Sequence, residues 1–248
     1  RQPSDPMDLL YAGLEGLPPL LTAAFPGGAR HRVWRLALVQ TRTRIQRTLR
    51  RRKLFIADGH HRYHAAWMFR QRHRRLPGSQ WILTLLANTE QPGLRIGPIH
   101  RVFRCAGTVT AGLLRSLERF GRIEQLGRRP AAALHPGRHT LGFYARGAGA
   151  WLLHLPPPLS DAPPREALEV VTLHTILPQV LTIRDTVFEK DPHEAVVAAR
   201  RDRAALAVFL PPISSEHICA IAFGGETLPQ KSTFFLPKPL SGLVVRLM

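Results

Sequence analysis

Lysine is scarce in this sequence. Its 248 residues hold four lysines (Lys53, Lys190, Lys231 and Lys238) against thirty-one arginines, and only 17 acidic residues. The resulting net charge of +18 has the look of a nucleic-acid protein. An arginine bias alongside abundant Ala, Gly and Pro is also what a GC-rich coding sequence produces, so charge alone does not identify a partner. Cysteine is scarcer still. Cys105 and Cys219 are far apart and neither belongs to a CxxC pair, which excludes a disulfide framework and a zinc ribbon. Two reduced thiols in a cytoplasmic protein are expected. No apolar run approaches the roughly 20 residues of a membrane helix. No cleavable signal pattern opens the chain. The first residue is Arg1 and the first methionine Met7, so the sequence is read as a fragment. Gly-x-Ser-x-Gly, HExxH and dinucleotide glycine patterns are absent, which leaves hydrolase-triad, zincin and Rossmann readings without their anchors.

What is present is a mixture of short apolar runs and amphipathic stretches. Helices are expected at Asp5–Glu15 (capped by Ser4 or Asp5), Thr41–Arg50, His60–His73, Thr108–Phe120, Arg165–Val180, Asp191–Arg201 and Ser214–Ala222. Leu20–Phe25 and His31–Leu38 flank Pro26-Gly27-Gly28, a hairpin signal. A second hairpin is expected from His139–Tyr144 and Trp151–Leu155 around Gly147-Ala148-Gly149. Leu54–Ala57, Gln80–Asn88 and Ala205–Leu210 read as buried strands, Leu94–Phe103 as an extended segment broken at Pro98, and Ser241–Leu247 as a closing strand. The expected fold class is α+β, a mixed sheet with hairpins and packed helices rather than regular βαβ alternation. Two basic clusters, Arg42–Lys53 and Arg70–Arg75, lie on or beside helices. They fit a solvated helix face, a polyanion contact or steering of an anionic ligand.

The strongest local signal is Ile56-Ala57-Asp58-Gly59-His60-His61-Arg62-Tyr63. A strand ends, glycine permits a backbone that other residues resist, and a helix begins. The unpaired N–H groups and positive dipole end of that first turn favour an anion. Arg62 adds a planar fork suited to phosphate oxygens, and His60 and His61 add donors that titrate near neutral pH. Asp58 is suited to hold a histidine or arginine in place, or to reach a bound metal ion. The alternative is an ordinary capped helix. Zinc on His60 and His64 lacks defined third and fourth ligands, with Asp58 and His100 as mere candidates. Magnesium carried in with a nucleotide fits better. His100-Arg101 follows a Pro-containing strand and is either a second part of the site or a surface pair. Gly224–Pro239 gathers Lys231, Ser232 and Thr233 with two aromatics, but lacks P-loop glycine spacing. It is read as a functional loop or a structural clasp.

Together these segments resemble a prokaryotic family, domain of unknown function 1015. The resemblance runs through Trp34, Ile56–Tyr63, Asn88 with Pro92-Gly93-Leu94, Pro98 with His100-Arg101, and Pro229-Gln230-Lys231-Ser232-Thr233-Phe234-Phe235 with Pro237-Lys238 and Ser241-Gly242-Leu243. Members of that family carry an N-terminal Pro-Pro-Tyr-Asp stretch and a His-Glu-x-Thr stretch that this sequence lacks. They also continue the Arg-Tyr pair with Glu-Thr-Ala, where this sequence has His64-Ala65-Ala66. The turn is also similar to the phosphate-binding turn of the ParB/sulfiredoxin-like superfamily, which includes CTP-binding partition proteins, ATP-using sulfiredoxins and free-serine kinases. The resemblance implies a phosphate-binding region over residues 1–106 and a second α+β region over 107–248. It implies a nucleotide-dependent phosphotransferase acting on a small molecule such as a hydroxyl amino acid, with ATP or ADP (CTP as a further alternative) and Mg2+. His60, His61, Arg62 and His100 would be catalytic. Asp58, Gly59, His60, His61, Arg62, Arg101, Lys231, Ser232 and Thr233 would bind the nucleotide. The general base would be the glutamate of the absent His-Glu-x-Thr stretch. The competing expectations are a nucleotide-binding, DNA-associated regulatory protein and an inactive truncated paralogue.

Overall fold

A computed structural model describes residues 6–24, 30–88, 93–127, 134–238 and 240–246. The chain divides into two compact units, Arg1–Ile56 and Ala57–Met248.

In the first unit, α1 (Pro6–Leu14) packs against α2 (Val39–Arg50). Between them in sequence, β1 (Leu21–Ala24) pairs antiparallel with β2 (Arg30–Val33) in the register Leu21↔Val33. This is the expected hairpin, and its Pro-Gly-Gly turn lies outside the described residues, as do the cap candidates Ser4 and Asp5. β2 stops at Val33 rather than Leu38; the next residue, Trp34, turns its indole N–H to the Leu17 carbonyl at 3.0 Å. α2 is amphipathic for the reason its sequence suggests: Thr41, Ile45, Thr48 and Leu49 are half-buried, while Arg42, Arg44, Arg47 and Arg50 face out.

The second unit begins with α3 (His60–Arg72), followed by β3 (Arg95–Pro98), β4 (His100–Cys105), α4 (Ala111–Arg115) and β5 (Arg122–Gly127). Then come β6 (Thr140–Ala145), β7 (Gly149–His154), α5 (Glu169–Ile176), β8 (Ile183–Glu189), α6 (Pro192–Arg201), β9 (Ala205–Phe209), α7 (Ser215–Phe223) and β10 (Thr233–Leu236). Six strands form an antiparallel sheet in the order β5-β7-β6-β9-β4-β8. β3 and β10 form a separate two-stranded ladder. The architecture is α+β, with apolar cores on both sides of the large sheet. β9 shows why its sequence is apolar throughout. Leu206 and Val208 join a core with Phe103, Leu114, Phe143, Trp151 and Leu173, whereas Ala205, Ala207 and Phe209 join one with Ala195, Val196 and Ala199 of α6.

Three of the observed helices, α4, α6 and α7, start at a capping side chain. Thr110 accepts the Leu113 N–H, Asp191 the His193 N–H and Ser214 the His217 N–H. α4 is shorter than expected because its last turn tightens into a 3-10 turn, Ser116–Phe120. α5 ends at Ile176 because Pro178 cannot continue it.

Three expected strands are corrected. Residues 54–57, 81–88 and 241–246 form no strand. Apolar residues are not sufficient for a strand, which needs a partner for its N–H and C=O groups. Leu54, Ile56, Trp81, Leu83 and Leu85 are exposed, Trp81 at 73% and Leu85 at 70%. In place of the expected closing strand, Arg246 donates from its side chain to the carbonyls of Trp81 (2.7 Å) and Gly78 (3.0 Å). Conversely, β5, β8 and β10 have no counterpart among the expected elements. β5 shifts register between Gln125 and Gly127, so Ile123 and Leu126 lose the two-residue alternation that marks a strand.

Candidate phosphate-binding turn and a buried arginine

The helix side of the turn is built as its sequence suggests, whereas the strand expected before it, at 54–57, does not form. Gly59 sits in the left-handed region, with φ 85° and ψ 24°, at the N-cap of α3. A Cβ there would strain the backbone and lie 3.0 Å from the Arg62 guanidinium. The N-cap of α3 has no side chain to cap the helix, and among the described residues no side-chain acceptor is bonded to the first-turn N–H groups of His60, His61 and Arg62. Asp58 accepts the Gly59 N–H at 2.8 Å, which fixes the turn from outside. Its other oxygen lies 3.6 Å from Arg62, so the arginine folds back over the helix start. Both side chains are exposed, and such a pair is worth on the order of 1 kcal/mol or less. A phosphate can therefore take Arg62 from Asp58 at small cost. His60, His61 and Tyr63 are exposed as well, and α3 has no buried residue along its length.

His100 and Arg101 occupy a different environment. They are not a surface pair. Both lie on β4, flanked by β8 and β9, and are 4% and 0% exposed. His100 packs its ring against Phe209 and accepts the Leu210 N–H on Nδ1 at 3.3 Å. Burial first, then the charges of His135 and Arg101, push its pKa down to about 4, with Asp191 pulling weakly the other way. This expected catalytic residue thus lies in the sheet interior, as a neutral imidazole used as an acceptor. Arg101 donates to the carbonyls of Ile99 (2.7 Å) and Lys231 (3.2 Å), with its guanidinium carbon 5.5 Å from the centre of the Phe188 ring.

The Lys231 segment meets Arg101 directly. Lys231 has φ 56° and an exposed side chain, and Ser232 is buried with its hydroxyl donating to the Pro229 carbonyl at 2.6 Å. Thr233 opens β10 opposite Pro98 of β3. Lys190 stands 5.6 Å from the Phe234 ring centre. So the structure joins Arg101 with Lys231, Ser232 and Thr233. Among the described residues, no hydrogen bond or ion pair joins that group to Asp58–Arg62. Phe188 and Lys190 escaped sequence analysis because they belong to β8 and the residue after it. The short Val187-Phe188 pair was the available signal.

Among the described residues no cluster of three or more His, Cys, Asp or Glu is arranged to hold a metal, and no helix is long and apolar enough to cross a membrane. Both cysteines are free: Cys105 is buried and its thiol pKa is raised to about 11 by burial and then Asp202, while Cys219 is half-buried. Shallow concavities lie at the far end of α3, lined by Arg70, Gln71, Arg72, Arg74 and Gln80.

No curated protein matches the sequence. Among solved structures the chain is similar to a mutant free serine kinase in complexes with AMP and with ADP, each at TM-score 0.40 and 11% identity. Those alignments take in 73% of this chain and 66% of the other, so the chain spans just under two thirds of that protein. It is also similar to a conserved hypothetical protein from Pyrococcus furiosus, at TM-score 0.40 and 12% identity over 93% of this chain and 82% of that one. A family described as "Protein of unknown function (DUF1015)" matches residues 3–177, which take in the turn, α3, His100 and Arg101 but not the Lys231 segment. The chain belongs to the DUF1015 family.

Proposed function

We propose that this protein binds a nucleotide through its phosphates at the start of α3 and transfers a phosphoryl group to the hydroxyl of a small molecule. One observation carries the reading: a left-handed Gly59 opens a 13-residue helix whose first turn has no side-chain cap, with Arg62 folded over it. The turn's resemblance to that of the ParB/sulfiredoxin-like superfamily supports the same reading. The backbone N–H groups of His60 and His61 would hold phosphate oxygens, and Arg62 would neutralise their charge. Such transfer depends mainly on positioning and charge neutralisation, which these groups supply. The terminal P–O bond of the nucleotide breaks, the acceptor oxygen takes the phosphorus, and the hydroxyl proton leaves to a base. Asp58 fits a magnesium ion, since it is an exposed carboxylate beside the phosphate position. It would hold the ion, which supplies charge neutralisation between phosphates when bound.

Calorimetric titration with ADP, ATP and CTP, with and without Mg2+, tests this. One of them should bind, and Arg62→Ala should weaken it about tenfold. Gly59→Ala should weaken it too, since a side chain in the left-handed region costs about 1–2 kcal/mol. Absence of binding by all three overturns the reading.

A second reading is a nucleotide-binding, DNA-associated regulator. The exposed arginine face of α2, a helix with no acidic residue in its first turn, favours it.

A further inference from the structure

A fully buried guanidinium normally has a carboxylate partner. Arg101 has none within ion-pair distance among the described residues, although it is 0% exposed. Burial lowers its pKa to about 10, which leaves it charged at neutral pH. Around His100 and Arg101 the acidic group is Asp191, which makes no ion pair with the guanidinium among the described residues, and the other charged groups are cations or rings that become cations. Lys190 and Lys231 flank the same segment, and the Arg101 charge, after partial burial, lowers the pKa of His174. Two carbonyls and one aromatic face do not neutralise a charge.

The distribution of its donors is uneven. Nη1 has the Ile99 carbonyl at 2.7 Å. Nη2 has only the longer contact to the Lys231 carbonyl at 3.2 Å. Nε has no partner at all, the one buried side-chain nitrogen or oxygen so placed among the described residues. Nε–H and one Nη2–H lie side by side on one edge of the planar group, spaced to meet two oxygens of one carboxylate or phosphate. Here Nε meets no acceptor and Nη2 meets a single carbonyl oxygen. The carbonyl belongs to a non-glycine residue in the left-handed region, in the segment that leads into β10, itself attached through a four-residue ladder.

We infer that the Nε–Nη2 edge of Arg101 is a second oxyanion site, separate from the α3 turn, for which the Lys231 carbonyl is a stand-in. A phosphate or carboxylate group displaces that carbonyl, places two oxygens on the fork, and supplies the missing negative charge. The Lys231 ammonium, carried on the same residue, closes over the bound anion. The site needs no property of the turn and stands without the nucleotide reading.

The test uses the full chain carrying Arg62→Ala, which disarms the turn, titrated with inorganic phosphate and with acetate. Thermal midpoints and the Nε–H resonances of 15N-arginine-labelled protein are followed. One of the two anions should raise the midpoint and shift the Arg101 Nε–H signal, with acetate or phosphate identifying the headgroup. Arg101→Lys should lower affinity about tenfold, because an ammonium does not offer the fork. Lys231→Asn, which tolerates the left-handed backbone and leaves the interior intact, should lower it about threefold. Loss of anion binding in Arg62→Ala alone, or an Arg101 Nε–H signal that neither anion moves, overturns the inference. Should Arg101→Lys not fold, the resonance and Lys231→Asn decide it. Failure of nucleotide binding at the turn leaves these outcomes untouched, so the two readings fail separately.

Discussion

Nδ1 of His100 accepts the Leu210 N–H, and protonation would turn that acceptor into a donor facing a donor. The folded-state pKa of about 4 lies below the ordinary 6.5. The unfolded chain therefore binds this proton first as pH falls, and stability declines through the window from 6.5 down to 4. Two and a half units correspond to roughly 3 kcal/mol lost across the window. Urea denaturation at pH 7 and pH 4.5 should show most of that loss, and His100→Gln should flatten the pH dependence while lowering stability at neutral pH. An unchanged slope in His100→Gln would place the acid sensitivity elsewhere. The sequence marked His100-Arg101 as unusual but not as buried. The strands that cover the pair, β8 and β9, come about 80–100 residues later, beyond the reach of local pattern.

The β3–β10 ladder illustrates how one small residue sets an element. Phe234 lies against Gly97, where an added Cβ would sit 2.4 Å from the ring. Gly97→Ala must displace that ring, an overpacking that costs about 1–3 kcal/mol. Phe234→Ala should remove the clash, so the double variant should be more stable than the sum of the single changes implies when all four proteins are compared by urea denaturation. Strict additivity would mean that the ladder is not held by this contact. Gly59 was legible because the residues after it announce a helix start, and α3 begins one residue after it, although the strand expected before it does not form. Gly97 was not, since its partner lies more than a hundred residues away. The apolar runs at 54–57 and 81–88 carried the opposite lesson. Their composition states a preference for burial, whereas strand formation depends on a neighbour's backbone, which composition does not contain.

Charge acts at the level of the whole molecule. An excess of 18 positive charges repels itself, and the arginine face of α2 concentrates part of that excess on the first unit. If the DNA-associated reading holds, a gel shift should show duplex binding that weakens about tenfold or more between 50 and 200 mM salt, as counterion release requires. Charge reversal of Arg42, Arg47 and Arg50 to glutamate should abolish it. Salt-insensitive retention, or none at about 50 mM, removes that reading. Composition showed the excess but not its location, because whether an arginine faces water or, like Arg101, the interior is decided by the sheet.

The order β5-β7-β6-β9-β4-β8 also has a consequence for how this chain is made. β4 leaves the ribosome with neither neighbour in existence, and β9 follows about a hundred residues later, roughly 5–20 seconds at ordinary elongation rates of ~5–20 residues per second. The β6–β7 hairpin can close on its own in the meantime, but it has to wait for β9 to link it to β4. Until β8 emerges, Val102 and Phe103 hang from the nascent chain with open edges on both sides, and until β9 emerges with one edge open, a target for holding chaperones. The last-made strand of the large sheet is thus the one that joins its two halves. Pausing or truncation before Phe209 would leave two half-sheets that have never met.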